Sequence, residues 1–174
     1  MHYVEYGKEN NKTILLLHGG GLSWWNYEDV AKSLQKDYHI ILPILDGHAE
    51  SDKSFTTIED NAAEIIAFID AHFGGSVFLI GGLSLGGQIL LEILSQRNDV
   101  CNYAIIESAL VIPSKLTHSM IKPAFESSFG LIQYKWFSKL QFKSLKIKSD
   151  LFDYYFRDTC AKFVIFLKGI HKEL

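Results

Sequence analysis

Only 2 cysteines, 3 prolines and a net charge of −3 stand in the 174 residues, and each shortage closes off a class of protein. Cys101 and Cys160 are too few for the disulfide frameworks that hold small secreted domains together. No apolar segment after Met1 could serve as a signal peptide, so both thiols are expected to be reduced and the chain cytoplasmic. Nowhere do about eighteen apolar residues run together, which leaves no candidate membrane span. A charge this close to zero gives no general pull towards nucleic acid. Internal repeats, low-complexity tracts and clear linkers are lacking too, and no cofactor or metal ion is called for. With 48% hydrophobic and 21% charged residues, what is left is a globular chain long enough to bury one good core.

The chain is organised around residues 76–97. Val77, Phe78, Leu79 and Ile80 read as a buried strand, and Ile89, Leu90, Ile93 and Leu94 recur at helical spacing after it. Between them lies Gly82-Leu83-Ser84-Leu85-Gly86, a G-x-S-x-G pentapeptide. A turn from strand to helix within so few residues leaves no room for a β-carbon two positions either side of the serine. The hydroxyl is thereby presented at the carboxyl end of the sheet, near helix N–H groups that favour developing negative charge. The bland alternative is a glycine-rich βα turn with an incidental serine.

Upstream, His2–Tyr6 alternates weakly as an edge strand would, and Thr13–Leu17 is a second buried strand running into His18-Gly19-Gly20-Gly21. Consecutive glycines at a strand end suit a backbone that something must approach closely, here a substrate oxyanion, though a plain loop would also contain them. Trp24–Lys36 has the apolar spacing of a helix. A strand over Tyr38–Leu42 is expected to end at Pro43, ahead of the polar loop Asp46–Ser51. Thr57 stands at capping-box spacing before a helix to about His72, which Gly74-Gly75 stops. Tyr103–Ile106 is a last strand, ending at Glu107-Ser108. Strands alternating with helices imply parallel β-α-β units, so residues 1–112 are expected to form an α/β core, a mostly parallel open sheet flanked by helices. Sites in such sheets lie at the carboxyl ends of the strands, where His18–Gly21, Asp46–Ser51, Ser84 and Glu107 would emerge.

From Pro113 the alternation stops, and 113–174 reads as a helical segment rich in aromatic residues and lysine. Lys135, Lys139 and Lys143 share one helical face, and Ser127–Ser149 holds five lysines and no acid. The favoured reading is the solvated face of an amphipathic helix; an anionic substrate or an anionic membrane surface would also answer to that charge. Asp150–Ile170 is helix-compatible, with Phe163–Leu167 as an alternative short strand.

Taken together these residues resemble the α/β-hydrolase family. Ile14–Gly20 is similar to its third strand and oxyanion loop, Asp46–Ser51 to the D-x-x-G-H-G-x-S loop after its fourth strand, shortened and with Ala49 in place of glycine, and Gly82–Gly86 to its nucleophile elbow. The resemblance covers roughly residues 1–110, and the segment after Pro113 is similar in position to the family's helical lid. It implies Ser84 as nucleophile, with the backbone N–H groups of Leu85 and Gly20 as oxyanion donors and Gly21 as the alternative register. His18 is then structural. The family's acid and histidine follow later strands, and the chain stops before anything resembling them, so it reads as C-terminally truncated. His118 and His171, the histidines downstream of Ser84, are expected at the surface. Glu107 stands where some members carry the acid, or is a turn or lid contact. The expected function is hydrolysis of a small acyl substrate, a carboxylic ester or similar, impaired by the incomplete triad. The alternative is a non-catalytic binding module. Truncation would also leave the last strand as an open edge, for which a homodimer would provide cover.

Overall fold

Thr13–Leu17 (β2) and His39–Ile44 (β3) are buried at every position, as strands covered on both faces must be. With His2–Tyr6 (β1), Val77–Leu83 (β4) and Cys101–Glu107 (β5) they form a five-stranded sheet in the order β1-β3-β2-β4-β5. β1 runs antiparallel to β3, with Tyr3 opposite Pro43, and the other pairings are parallel. The computed structural model describes residues 1–111, 131, 134–144 and 148–162. It divides into two units, Met1–Ala109 and Leu110–Leu174.

In the first unit, alternate residues of β2 feed opposite layers, as the two-residue strand period requires. Leu15 and Leu17 pack with Ile65 and Ile69 of Ile58–Phe73 (α2) and with Ile89 and Ile93 of Leu85–Gln96 (α3). Ile14 and Leu16 face the other way, with Ala31 of Glu28–Leu34 (α1). Burying each such side chain contributes roughly 1.5–3 kcal/mol before chain entropy is counted. α2 starts where Thr57 Oγ1 accepts a hydrogen bond from Asp60 N at 3.0 Å and ends at Gly74, in the left-handed conformation.

Two boundaries differ from the sequence expectation. Trp24–Lys36 is not one helix: Trp24–Tyr27 is a 3-10 turn leading into α1. β3 also runs through Pro43 to Ile44. Its pairing with β2 reaches only as far as Leu15 opposite Ile41, so a residue without an N–H is tolerated two positions on.

The second unit contains Lys135–Ser144 (α4), a 3-10 turn at Ser149–Leu151, one helical turn at Phe152–Tyr155 and a π-helical stretch at Phe156–Lys162. The Phe142 ring lies 5.3 Å from those of both Phe152 and Tyr155, and Tyr155 Oη donates to Gln141 Oε1 at 2.8 Å. The helix expected over Asp150–Ile170 is thus broken into these pieces as far as Lys162. The alternative strand at Phe163–Leu167, His118 and His171 lie outside the described residues.

Candidate functional site

The order of the strands fixes where a site can form. From β2 the chain moves to β3 on one side through α1, and from β4 to β5 on the other side through α3, with α1 and α3 on opposite faces. A crevice opens at such a reversal, outside the carboxyl ends of the two central strands. The residues at those ends are His18–Gly21 and Ser84.

Ser84 has φ +51° and ψ −109°, and is exposed between the end of β4 and the first residue of α3. A non-glycine residue held in that region costs of order 1–3 kcal/mol and persists only when its surroundings over-determine it. Two close approaches do so. A β-carbon on Gly82 would collide with the Gly86 carbonyl, and one on Gly86 with the Leu17 carbonyl. Backbone bonds clamp the turn on both sides: Ser84 N donates to Glu107 O at 2.8 Å, and Gln88 N to Ser84 O at 2.9 Å.

Facing the elbow is a tight turn closed by Leu22 N donating to Gly19 O at 3.1 Å, with Gly21 at φ +74°. A β-carbon on Gly20 would meet the Leu85 side chain at 3.8 Å, ordinary van der Waals contact, so the two backbones run side by side. Gly20 N–H makes no hydrogen bond among the described residues, and Leu85, at the first position of α3, has no intrahelical acceptor for its own.

His18 is fully buried. Leu45 N donates to its Nε2 at 3.1 Å, so its proton sits on Nδ1, which donates to Gly19 O at 2.9 Å. Burial, and then the neighbouring His48 ring 5.1 Å away, hold its pKa down to about 3 against the favourable bond to Gly19. It is a neutral strut that ties the loop after β2 to the loop after β3. In that second loop His48, whose Nδ1 donates to Asp46 O at 2.8 Å, is likewise pushed down by burial. Ser51 Oγ donates to Asp46 Oδ1 at 3.3 Å, and burial raises the Asp46 carboxyl.

Glu107 ends β5 opposite Leu83. Its negative charge acts on Tyr27, whose phenol is raised to about 12, first by burial and then by that charge. Tyr27 therefore belongs to this end of the sheet, although its spacing marks it only as a core position of a helix. Ser108 is a second serine with positive φ, +52°, and the chain turns there so that a β-carbon on Gly87 would come within 3.0 Å of Ala109 Cβ. Nothing in the dipeptide Glu107-Ser108 signals that turn.

Ser84 Oγ has no hydrogen-bond partner among the described residues. The five described histidines are engaged elsewhere: His2 with Asp52, His39 with Glu5, His72 with the Phe68 carbonyl, and His18 and His48 as above. No group of three or more metal-ligating side chains occurs among the described residues.

Residues 12–151 match the family model for the alpha/beta hydrolase fold. The chain belongs to this family. Among similar α/β hydrolases, Lipase 1 of Psychrobacter immobilis is 27% identical over 152 residues, covering 82% of this chain and 48% of the lipase. A soluble epoxide hydrolase of Corynebacterium sp. (strain C12) is 27% identical over 101 residues, covering 58% and 35%. An esterase from Thermogutta terrifontis superposes with a TM-score of 0.72 at 15% identity, over 92% of this chain and 61% of its own. The chain spans about half the length of the curated relatives it matches, or less.

Proposed function

We propose that the chain carries the nucleophilic half of a serine hydrolase acting on a carboxylic ester or similar acyl substrate. The observation behind this reading is the pairing of a strained, exposed Ser84 with two unused backbone donors on adjoining turns. In the first step Ser84 Oγ would form a bond to the substrate carbonyl carbon while the carbonyl oxygen takes up negative charge. The N–H groups of Leu85 and Gly20 would hold that oxyanion, with Gly21 in the alternative register, and such donors are worth about 2.7–4 kcal/mol each in related sites. Collapse of that intermediate would break the bond to the ester's alcohol oxygen, which leaves as the alcohol with the proton given up by Ser84. Water would then hydrolyse the acyl-enzyme to the carboxylic acid and regenerate Ser84. Support for an acyl substrate comes from the lipase and the esterase among the similar proteins; the epoxide hydrolase marks the breadth of the family.

A serine hydroxyl needs a base, and no described histidine reaches Ser84. Glu107 would serve as acid only towards such a histidine. Turnover of simple esters is therefore expected to be weak, since loss of triad members costs roughly 10⁴ to 10⁶ in rate. Labelling with a fluorophosphonate probe, with Ser84→Ala as control and peptide mapping, tests the assignment. Slow, Ser84-selective labelling is expected; a folded chain that is never labelled at Ser84 overturns it. Fast, Ser84-dependent hydrolysis of p-nitrophenyl acetate would overturn the impairment alone.

The exposure of β5 favours a second reading, a binding module in which a second copy covers the edge. Tyr103, Ile105 and Ile106 are 60%, 57% and 42% exposed. Light scattering should then show a dimer that Ile105→Lys disperses, and a monomer at high concentration counts against it.

A further inference from the structure

A helix that docks on one core turns its apolar residues inward. α4 does so with Ser138 and Phe142, which are buried, the latter against Phe152 and Tyr155. Phe137 is half-buried, and the remaining large apolar residues point the opposite way. Trp136 and Leu140, four apart and so one above the other on the helix surface, are each 63% exposed, and Tyr134, just before the helix, is 57% exposed. Scattered apolar residues on a surface need no explanation, but a contiguous stripe does.

Beside that stripe runs a row of lysines. At about 100° per residue Lys143 lies only about 20° from Trp136 and Lys139 about 60° from it, while Lys135 falls about 20° from the buried Phe142 and closes the row on the inner side. All three are exposed. The ammonium groups of Lys135 and Lys139 sit over the rings of Phe156 and Phe152, at 5.5 and 5.8 Å, and Lys143 makes no such contact among the described residues. From Ser127 to Ser149 there are five lysines and no acid. Asp150 and Asp153 follow on the segment packed under α4, and Asp158 is paired with Arg157 at 2.6 Å. The positive charge is thus a property of α4 itself, in a chain whose net charge is −3.

We propose that the outward face of α4, Trp136 and Leu140 flanked by Lys139 and Lys143, docks on the surface of an anionic lipid bilayer. Tryptophan sits well at the boundary between headgroups and acyl chains, and leucine beside it enters the apolar side. Lysines in register with that stripe meet the lipid phosphates. Ten residues span about 15 Å, suited to lying in the interface and too short to cross it, and no helix among the described residues is long and apolar enough to cross a membrane. Two copies of this chain meeting through the same face would set one lysine row against the other, which argues against self-association there. Leucine gives a nucleobase nothing to stack on. The inference does not depend on Ser84 being a nucleophile.

Co-sedimentation of the full chain with vesicles is the test. Binding is expected to phosphatidylcholine vesicles containing about 30% phosphatidylserine, not to phosphatidylcholine alone, and to weaken as salt shortens the screening length. Trp136→Gln/Leu140→Gln should weaken it about tenfold or more, and Lys139→Gln and Lys143→Gln about fivefold each, with far-UV circular dichroism unchanged. Should the double variant fail to fold, the exposed Lys143→Gln carries the same comparison. Absence of binding to the anionic vesicles, equal binding to both kinds, or variants that bind like the parent chain would overturn the proposal. So would concentration-dependent self-association that Trp136→Gln/Leu140→Gln abolishes, which would assign the face to a second copy.

Discussion

β2 and β5 lie one strand apart in the same sheet, are similarly apolar at their centres, and have opposite fates. Ile14-Leu15-Leu16-Leu17 is buried throughout, whereas Tyr103-Ala104-Ile105-Ile106 is exposed throughout. Nothing in the local sequence separates them. An apolar strand states that it needs cover; topology decides whether the cover comes from the same chain. β2 has neighbours on both edges and helices on both faces, while β5 has β4 on one edge only. The energetic consequences of substitution should differ accordingly.

The hardest way to break the contrast is at the elbow, where the first turn of α3 leans on the end of β2 through glycine. Gly86→Val should prevent folding or destabilise by more than about 3 kcal/mol, because the new atoms would run into the Leu17 carbonyl, which is backbone and does not yield. Chemical denaturation would show it. Next come the strands themselves: Leu17→Ala should cost about 2–5 kcal/mol, whereas Ile105→Ala should stay within about 0.5 kcal/mol, as for a surface residue. Equal losses at the two positions, measured on dilute protein, would mean that β5 is covered after all.

A pH titration sharpens the same point, since both buried imidazoles sit at the ends of covered strands. Unfolded His18 takes up a proton below about pH 6.5, but folded His18 does so only near 3. The unfolded state therefore binds more protons across that window, and stability should fall on acidification by up to about 1.4 kcal/mol per pH unit. His48 adds in the same direction, and the raised Asp46 carboxyl opposes it at the acid end. The slope should shrink in His18→Gln, read from denaturant midpoints at pH 7 and pH 5.

The smallest effects belong to the positive-φ positions. Ser84→Gly and Ser108→Gly relieve about 1–3 kcal/mol of positive-φ strain at exposed residues and lose part of that to the greater freedom of unfolded glycine, so a gain of about 1 kcal/mol or less is expected in thermal unfolding. Ala49 is also left-handed, φ +39°, yet only 2% exposed. Ala49→Gly gives up a buried methyl worth about 0.8 kcal/mol, so the change there should be close to zero.

These outcomes mark what was legible beforehand. Gly82, Ser84 and Gly86 were readable because a strand-to-helix turn imposes a local steric rule, and the strand and helix beside them carry their own periods. Thr57 and Gly74 were readable for the same reason. β3 outruns Pro43 because the cost of a missing N–H depends on where β2 stops pairing, which is not a local property. The split of α4 into two apolar faces was hidden, since Phe142, Trp136 and Leu140 look alike until a partner selects one of them. Tyr27 and Glu107 are eighty residues apart, and no pattern within either segment brings them together.

The imidazole of His18 has a further consequence. Backbone pairing between β2 and β3 ends at Leu15 and Ile41, and past that fork the strands part. The His18 ring spans the opening, taking the Leu45 N–H on one nitrogen and holding the Gly19 carbonyl with the other. It acts as one more rung of the ladder, made of side-chain atoms where main chain no longer reaches. The glycine turn beside the elbow is thereby braced from behind: it cannot swing without dragging the next strand's loop along.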